Sequence, residues 1–346
     1  MNIQFITTIQ SNFRLNHFDM KKEKGEPDFN VFVGAETGIL KGINVNKKAT
    51  ISKNFHNLSN LQKEFEITCL SFGESENEIL LGLRNQTVKV YDVQFRSFSQ
   101  SLDVKVRTRT SREEYWSVFQ GGSGSLVGVA RYDGAIVTAA QSGIVTVWNC
   151  DNKRSFDTIQ TEVDSMGKLR RSGGDLSEEQ REKHRVMLGS GKELCRMRQN
   201  LQARQQVGLA GKEVELQVWD LSRPQSPVFR SKNVPEDSLC LRQPVWVSDL
   251  CWTSERTVCV TSRHGQTRQY DLRSGQRRPV AEVRWEEETA STAVARLGDH
   301  QVIVGTNTGL MALWDLRAGH GYRGLVRKYG GCVGAVREIS TSQGGS

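Results

Sequence analysis

The stretch NVFVGAETGILKGINV, Asn30 to Val45, decides the fold because its pattern returns five more times along the chain. Each block begins with a short apolar run, passes through a small or polar turn, and ends in an alternating run. A buried strand, a tight turn and a half-buried strand together form a β-hairpin. The further blocks run from Glu78 to Val93, Ala135 to Cys150, Gln206 to Leu221, Thr257 to Leu272 and Gln301 to Leu316.

The spacing of the blocks indicates how many strands each repeat contains. The position that closes the second strand of each hairpin is occupied by Ile43, Tyr91, Trp148, Trp219, Tyr270 and Trp314, at spacings of 48, 57, 71, 51 and 44 residues. A period of roughly 40 to 50 residues is typical of the WD-repeat β-propeller, in which each blade has four strands. The tripeptide Trp-Asp-Leu occurs twice, so we predict an all-β WD-repeat β-propeller.

The repeats are degenerate, and their number predicts a seven-bladed type with an incomplete last blade. The turn position that usually holds Asp is occupied by Thr37, Asn85, Ser142, Glu213, His264 and Thr308. After the sixth hairpin, YRGLVRKYG (322–330) and GAVREIS (334–340) can supply two strands. We therefore expect six hairpins plus a fragment of a seventh blade.

The domain boundaries follow from the first and last repeats. We predict a disordered leader over residues 1–28, a propeller over residues 29–340, and a tail over residues 341–346. An alternative for part of the leader is that IQFITTIQ (3–10) forms a strand that helps to seal the ring.

The longest spacing predicts a charged, partly helical insertion over about residues 151–194. Ser177 is followed by Gln180, which is a capping-box pattern and predicts a short helix. The insertion is either a solvated segment on one rim or an arm that binds a partner, because propellers bind through their loops.

Motifs and composition exclude most catalytic classes. The Walker loop and the dinucleotide fingerprint are both absent, and the six histidines lack metal-ligand spacing. No apolar run approaches the roughly 18 to 20 residues of a membrane helix. The seven cysteines include no Cys-x-x-Cys pair, which favours reduced thiols. We predict no enzyme, no cofactor, no metal and no membrane association.

The net charge favours acidic partners. The 346 residues include 47 Lys and Arg against 39 Asp and Glu, a formal net charge of +8. Such a balance mildly favours nucleic acid as a partner.

Several strings are more specific than the blade pattern. Besides the opening stretch they are CRMRQ (195–199), GKE and LQVWDL (211–221), PVFRSKNV (227–234) and QRRPV (276–280). Together they resemble the WD repeat-containing protein 74 family, over nearly the whole chain. The resemblance implies a nucleolar, non-catalytic propeller that joins precursors of the large ribosomal subunit, both protein and rRNA, and assists pre-rRNA processing. It also implies two partners, a nuclear AAA-type ATPase and the RNA helicase linked to the exosome.

Basic residues within the matching strings are the candidates for partner contact. Arg196 and Arg198 share one face of a predicted strand because alternate residues point the same way. The full set is Arg196, Arg198, Arg230, Lys232, Arg277 and Arg278. These side chains could contact RNA phosphates, or they could simply belong to charged strands that face solvent. The alternative function is a propeller adaptor unrelated to RNA, such as a ubiquitin-ligase substrate receptor.

Overall fold

The fold is seen in a computed structural model of the chain. It describes residues 3–7, 29, 31–45, 50–55, 62–75, 77–104, 124–148, 162–163, 169–170, 185–187, 193–223, 226–236, 239–285, 289–298, 300–318, 320–330 and 334–339. Within these ranges the chain forms strands and three short 3₁₀ helices, and no helix there is long and apolar enough to cross a membrane.

Blades 1 and 2 are four-stranded sheets in which each strand pairs with the next one along the chain. Blade 1 contains β1 (Ile3–Thr7), β2 (Val31–Ala35), β3 (Leu40–Val45) and β4 (Thr50–Asn54). A 3₁₀ turn (Lys63–Phe65) leads to blade 2, which contains β5 (Ile67–Phe72), β6 (Glu78–Leu83), β7 (Thr87–Asp92) and β8 (Ser97–Asp103).

Blades 3 and 4 are also four-stranded, and a small ribbon is inserted in the chain before the last strand of blade 3. Blade 3 contains β9 (Leu126–Tyr132), β10 (Ala135–Ala140), β11 (Ile144–Trp148) and β14 (Arg185–Met187), and the ribbon pairs β12 (Glu162–Val163) with β13 (Leu169–Arg170). Blade 4 contains β15 (Glu193–Gln199), β16 (Gln206–Lys212), β17 (Val214–Asp220) and β18 (Phe229–Arg230).

Blades 5 and 6 are linked because a short strand from the connection within blade 6 pairs with the outer strand of blade 5. Blade 5 contains β19 (Val247–Ser254), β20 (Thr257–Ser262), β21 (Gln266–Asp271) and β22 (Ala281–Arg284), and blade 6 contains β23 (Ser291–Arg296), β24 (Gln301–Thr306), β25 (Met311–Asp315) and β27 (Leu325–Tyr329). Before β27, two 3₁₀ turns (Leu316–Ala318 and Tyr322–Gly324) flank β26 (His320–Gly321), which pairs in parallel with β22.

All six hairpins predicted from the repeated blocks are confirmed. Each block supplies the second and third strands of one blade, joined by a tight turn. The burial also follows the pattern, since all six residues of β10 are buried while β7 alternates over most of its length.

The prediction of seven blades is wrong, because the described residues form six. Of the two strands expected to begin a seventh blade, Leu325–Tyr329 instead hydrogen-bonds to β25 and completes blade 6. Residues 334–339 are extended and lie against blade 6, where the Val336 N–H donates to the Thr306 carbonyl at 2.9 Å. The chain returns after the two 3₁₀ turns and pairs Leu325–Tyr329 with β25, so the strand that the repeat count assigned to a seventh blade belongs to blade 6.

Part of the predicted leader is a strand. Ile3–Thr7 pairs antiparallel with Val31–Ala35 and is the first strand of blade 1. Without it, β2 would present a row of unpaired backbone groups at the edge of blade 1. The other residues of 1–28, and the tail 341–346, lie outside the described residues.

The insertion is only partly described. The segment predicted to be helical from Ser177 falls mostly outside the described residues. Its end, Arg185–Met187, is not helical: it pairs with β11 and is the outer strand of blade 3.

The core lies between the blades. Five clusters of buried apolar side chains fill successive interfaces, as where Phe32 of blade 1 packs with Ile67 of blade 2 and where Leu209 of blade 4 packs with Val137 of blade 3. Aromatic residues at the hairpin ends join them; the rings of Trp314 and Trp285 make an edge-to-face contact at 5.7 Å. Burial of these apolar side chains between neighbouring blades therefore fixes the position of each blade relative to the next.

Candidate functional site

The first strands of blades 2 to 6 line a central channel. A cavity of about 760 Å³ is bounded by residues of β5, β9, β15, β19 and β23, together with Glu338 and Ile339. Side chains at alternate positions of these strands point into it, which is the geometry that places Arg196 and Arg198 together.

Arg196 and Arg198 of blade 4 are held by carboxylates inside this channel. Arg196 Nε lies 3.1 Å from Asp249 Oδ1, and Arg198 Nη2 lies 3.3 Å from the same oxygen. Arg198 Nη2 also lies 2.6 Å from Glu338 Oε1, and Arg196 Nη1 lies 3.6 Å from Glu338 Oε2. These four side chains form one ion cluster, which we call the channel cluster.

Asp249 is the most buried member of the channel cluster. Its side chain is 0% exposed, and its carboxylate accepts the backbone N–H of Leu250 at 2.9 Å and that of Val294 at 3.2 Å. Because Val294 belongs to β23, one carboxylate ties the arginines of blade 4 to the first strands of blades 5 and 6.

Glu338 enters the cluster from the extended segment after blade 6. The Thr292 hydroxyl donates to the Val336 carbonyl at 2.5 Å, just as Ser248 donates to the Ser291 carbonyl at 2.7 Å one blade earlier. Val336 thus takes the position that Ser291 has in blade 6, and Glu338 is placed level with Asp249. The segment occupies the place of a next first strand, although no further blade forms within the described residues.

Arg198 keeps its positive charge in the channel cluster. Burial alone would lower the pKa of Arg198, but the carboxylates of Asp249 and Glu338 raise it above its ordinary value. Nearby, burial raises the pKa of the Cys69 thiol to about 12. Two arginines facing two carboxylates are neutral as a group, so the cluster suits cross-bracing of the blades.

The other four predicted residues lie together at the outer edge of blades 4 and 5. The Lys232 N–H donates to the Arg277 carbonyl at 2.8 Å, and Arg277 Nε donates to the Arg230 carbonyl at 2.7 Å. Arg230, Lys232, Arg277 and Arg278 are all exposed. We call this group the basic edge.

The six predicted residues therefore form two separate groups. The structure places Arg196 and Arg198 in the channel and the remaining four on the outside. Partner contact by any of them stays a prediction. Asp249 and Glu338 were missed, although each is an acid in a partly apolar stretch, VSDLC (247–251) or GAVREI (334–339), at the position that matches Arg196 in the repeat. An arginine and two acids at equivalent positions of different repeats would have predicted this ion cluster.

The described residues contain no group of three or more His, Cys, Asp or Glu side chains placed to hold a metal. Of the seven cysteines, five lie in this part of the chain and are free: Cys69 and Cys259 are buried, Cys195 and Cys251 are half-buried, and Cys240 is exposed.

Sheets arranged in series around a lined channel define the class: the chain is a WD40 β-propeller. Solved structures agree. It matches the WD40 β-propeller domain of Doa1 with a TM-score of 0.57 and 9% identity, over 91% of this chain and 83% of that one. It matches the structure of U3-55K with a TM-score of 0.58 and 12% identity, over 90% of this chain and 81% of that one. It matches the RRP9 WD40 repeats with a TM-score of 0.57 and 13% identity, over 90% of this chain and 80% of that one. At these identities the likeness concerns the fold alone.

Sequence relatives narrow the class to a family. The chain is 33% identical over 312 residues to WD repeat-containing protein 74 of Homo sapiens, which covers 89% of this chain and 69% of the relative. The proteins of the same name from Bos taurus and Mus musculus match at the same identity and coverage. The chain belongs to the WD repeat-containing protein 74 family, as the sequence strings predicted. No family model matches it.

Proposed function

We propose that the chain is a non-catalytic scaffold in ribosome biogenesis, which binds precursors of the large ribosomal subunit and supports pre-rRNA processing in the nucleolus. Family membership carries this proposal: 33% identity extends over 89% of the chain. A nuclear AAA-type ATPase and an exosome-linked RNA helicase are proposed partners on the same basis.

The basic edge is the surface that suits a phosphate backbone. Four cationic side chains from two blades are exposed there, and the hydrogen bonds between Lys232, Arg277 and Arg230 fix the local backbone. Lys and Arg bind phosphates by displacing condensed counterions, which gives sequence-independent affinity that weakens with salt. Because the local backbone is already fixed, RNA binding orders mainly side chains there.

The channel cluster contributes to partner binding indirectly, by positioning the blades that carry the basic edge. It joins blade 4 to blades 5 and 6 through Asp249, and blades 4 and 5 are the two that carry the basic edge. We therefore assign Arg196 and Arg198 to positioning the blades and the basic edge to contact with the partner.

Affinity purification of the tagged chain, with and without ribonuclease and followed by mass spectrometry, tests the proposal. We expect large-subunit precursor proteins and rRNA in the untreated sample and their loss after ribonuclease. Recovery of ubiquitin-ligase subunits, unchanged by ribonuclease, would instead establish the adaptor alternative.

A charge-reversal variant isolates the basic edge. Arg230→Glu, Lys232→Glu and Arg278→Glu are combined, while Arg277 is kept because its guanidinium holds the Arg230 carbonyl. The matched control reverses three exposed cations elsewhere, Lys63, Arg223 and Arg256. We expect the first variant to lose the rRNA-containing particles and the control to keep them. Equal losses in both would mean that overall charge, and not this edge, holds the particle.

A further inference from the structure

Trp246 is held at the surface between the hairpin turns of blades 4 and 5. A β-bridge pairs it with Lys212 at the blade 4 turn, and its carbonyl accepts the Arg263 N–H at 2.9 Å from the blade 5 turn. Its neighbours Val245 and Val247 are buried, while Trp246 itself is 37% exposed. The backbone pairing fixes the tryptophan outward, since alternate residues of an extended segment face opposite ways.

Two cations lie over the exposed ring. The Lys212 ammonium is 5.1 Å and the Arg263 guanidinium carbon is 5.8 Å from a ring centroid of Trp246. Both distances are within cation–π range, so the aromatic ring and the two charges are held as one unit.

Exposed aliphatic residues precede this unit on the same connection. Leu241 is 59% exposed and Leu239 is 75% exposed. Arg242, which follows Leu241 in the sequence, has its Nη2 atom 3.2 Å from Glu213 Oε2 at the blade 4 turn. This ion pair holds that part of the connection near Lys212. Exposed apolar groups with a charged surround are typical of protein interaction sites.

We propose that Trp246, Lys212, Arg263 and Leu241 form a docking site for an acidic peptide segment that carries an apolar anchor residue. The two cations attract the carboxylates of the segment, and its anchor packs on the Leu241 side chain and on the part of the Trp246 side chain that stays exposed beside the cations. Trp and Arg are also the residue types that dominate binding energy at protein interfaces.

The same observations disfavour single-stranded RNA at this site. Bases stack on an aromatic face, and here the cations lie over the ring. Leu241 offers a base neither a π face nor a hydrogen bond. The basic edge shares no residue with this site, so each can bind or fail independently, and the docking site does not depend on the role in ribosome biogenesis.

Fluorescence anisotropy with the full chain tests the proposal. The probe is a fluorescein-labelled peptide of Asp and Glu residues around a central Leu-Phe pair, compared with the same peptide bearing Ala-Ala and with oligouridine RNA. We expect the Leu-Phe peptide to bind best and Trp246→Ala to weaken it by about thirty-fold. Lys212→Glu combined with Arg263→Glu should abolish binding, whereas Trp246→Phe should retain part of it.

Arg256→Glu, an exposed cation in the β19–β20 turn, is the matched control and should bind like the wild type. If Trp246→Ala proves unfolded by circular dichroism, the Lys212 and Arg263 reversals decide the outcome. The proposal is overturned if the wild type fails to bind the peptide, or if these variants bind it as well as the wild type. It is equally overturned if oligouridine binds more tightly than the peptide in a Trp246-dependent way.

Discussion

Replacing Asp249 with Asn is the sharpest perturbation of the channel cluster. The side chain is 0% exposed and serves two guanidinium groups, with Arg196 Nε at 3.1 Å and Arg198 Nη2 at 3.3 Å. Asn has almost the same shape, so packing is retained while the charge is removed and one acceptor oxygen becomes an NH₂ donor. The change leaves two largely buried cations facing the single carboxylate of Glu338.

The size of the effect follows from this imbalance. Removing one partner of a buried ion pair typically costs 3 to 5 kcal/mol. We expect about 3 kcal/mol, the low end, because the Asn oxygen can still accept the Leu250 N–H and Glu338 still neutralises one arginine. A domain of ordinary stability has about 5 to 15 kcal/mol to lose, so the variant should fold with a clearly lowered midpoint.

Urea unfolding followed by tryptophan fluorescence measures this loss, provided that the m-value stays unchanged. Asp315→Asn is the matched control, because Asp315 lies 2.6 Å from Arg317 in an exposed pair. Exposed pairs contribute little, so the control should unfold like the wild type. If Asp249→Asn is no less stable than Asp315→Asn, the cluster does not brace the blades and the reasoning fails.

Two further predictions concern packing and alkaline pH. A Cβ added at Gly82 would lie against Cys69 Sγ and 3.1 Å from Val129 Cγ1, so Gly82→Ala should cost about 1 to 3 kcal/mol in urea unfolding. Gly298→Ala, where no atom lies within 4 Å, should be close to neutral, and equal effects at both sites would contradict the packing. Burial raises the pKa of Tyr91 and of Tyr270 from 10.0 to about 12. Between pH 10 and about 12 these two tyrosines ionise in the unfolded chain but stay largely neutral in the folded one. The stability that the two buried tyrosines contribute is therefore complete below pH 10 and is lost as pH rises to about 12. Unfolding midpoints measured over this range should fall less steeply for Tyr91→Phe with Tyr270→Phe, and an unchanged slope would refute this.

The hairpins could be predicted because their information is local. In the Gln301–Leu316 block, an apolar run, a turn and an alternating run adjoin in sequence, and the structure pairs them as β24 and β25. The number of blades could not be predicted in this way. Leu325–Tyr329 has the composition of a strand in either blade, and only its pairing with β25 after the excursion of β26 assigns it to blade 6.

The candidate site was predictable in part for a related reason. Strand alternation correctly placed Arg196 and Arg198 on one face, because that property depends on neighbours in sequence. Their carboxylate partners come from other repeats; Arg198 and Asp249 are 51 residues apart and meet only because the first strands line one channel. The basic edge likewise arises where the connection to β22 hydrogen-bonds to the segment after β18.

Sedimentation of the tagged chain on a sucrose gradient of nuclear extract tests the central claim most directly. A scaffold that binds large-subunit precursors through a basic surface should co-sediment with them at low salt. It should move to soluble fractions as salt rises, because each phosphate contact contributes to the salt dependence. The basic-edge variant should remain in soluble fractions even at low salt. Wild-type chain found only in soluble fractions at low salt would contradict the account.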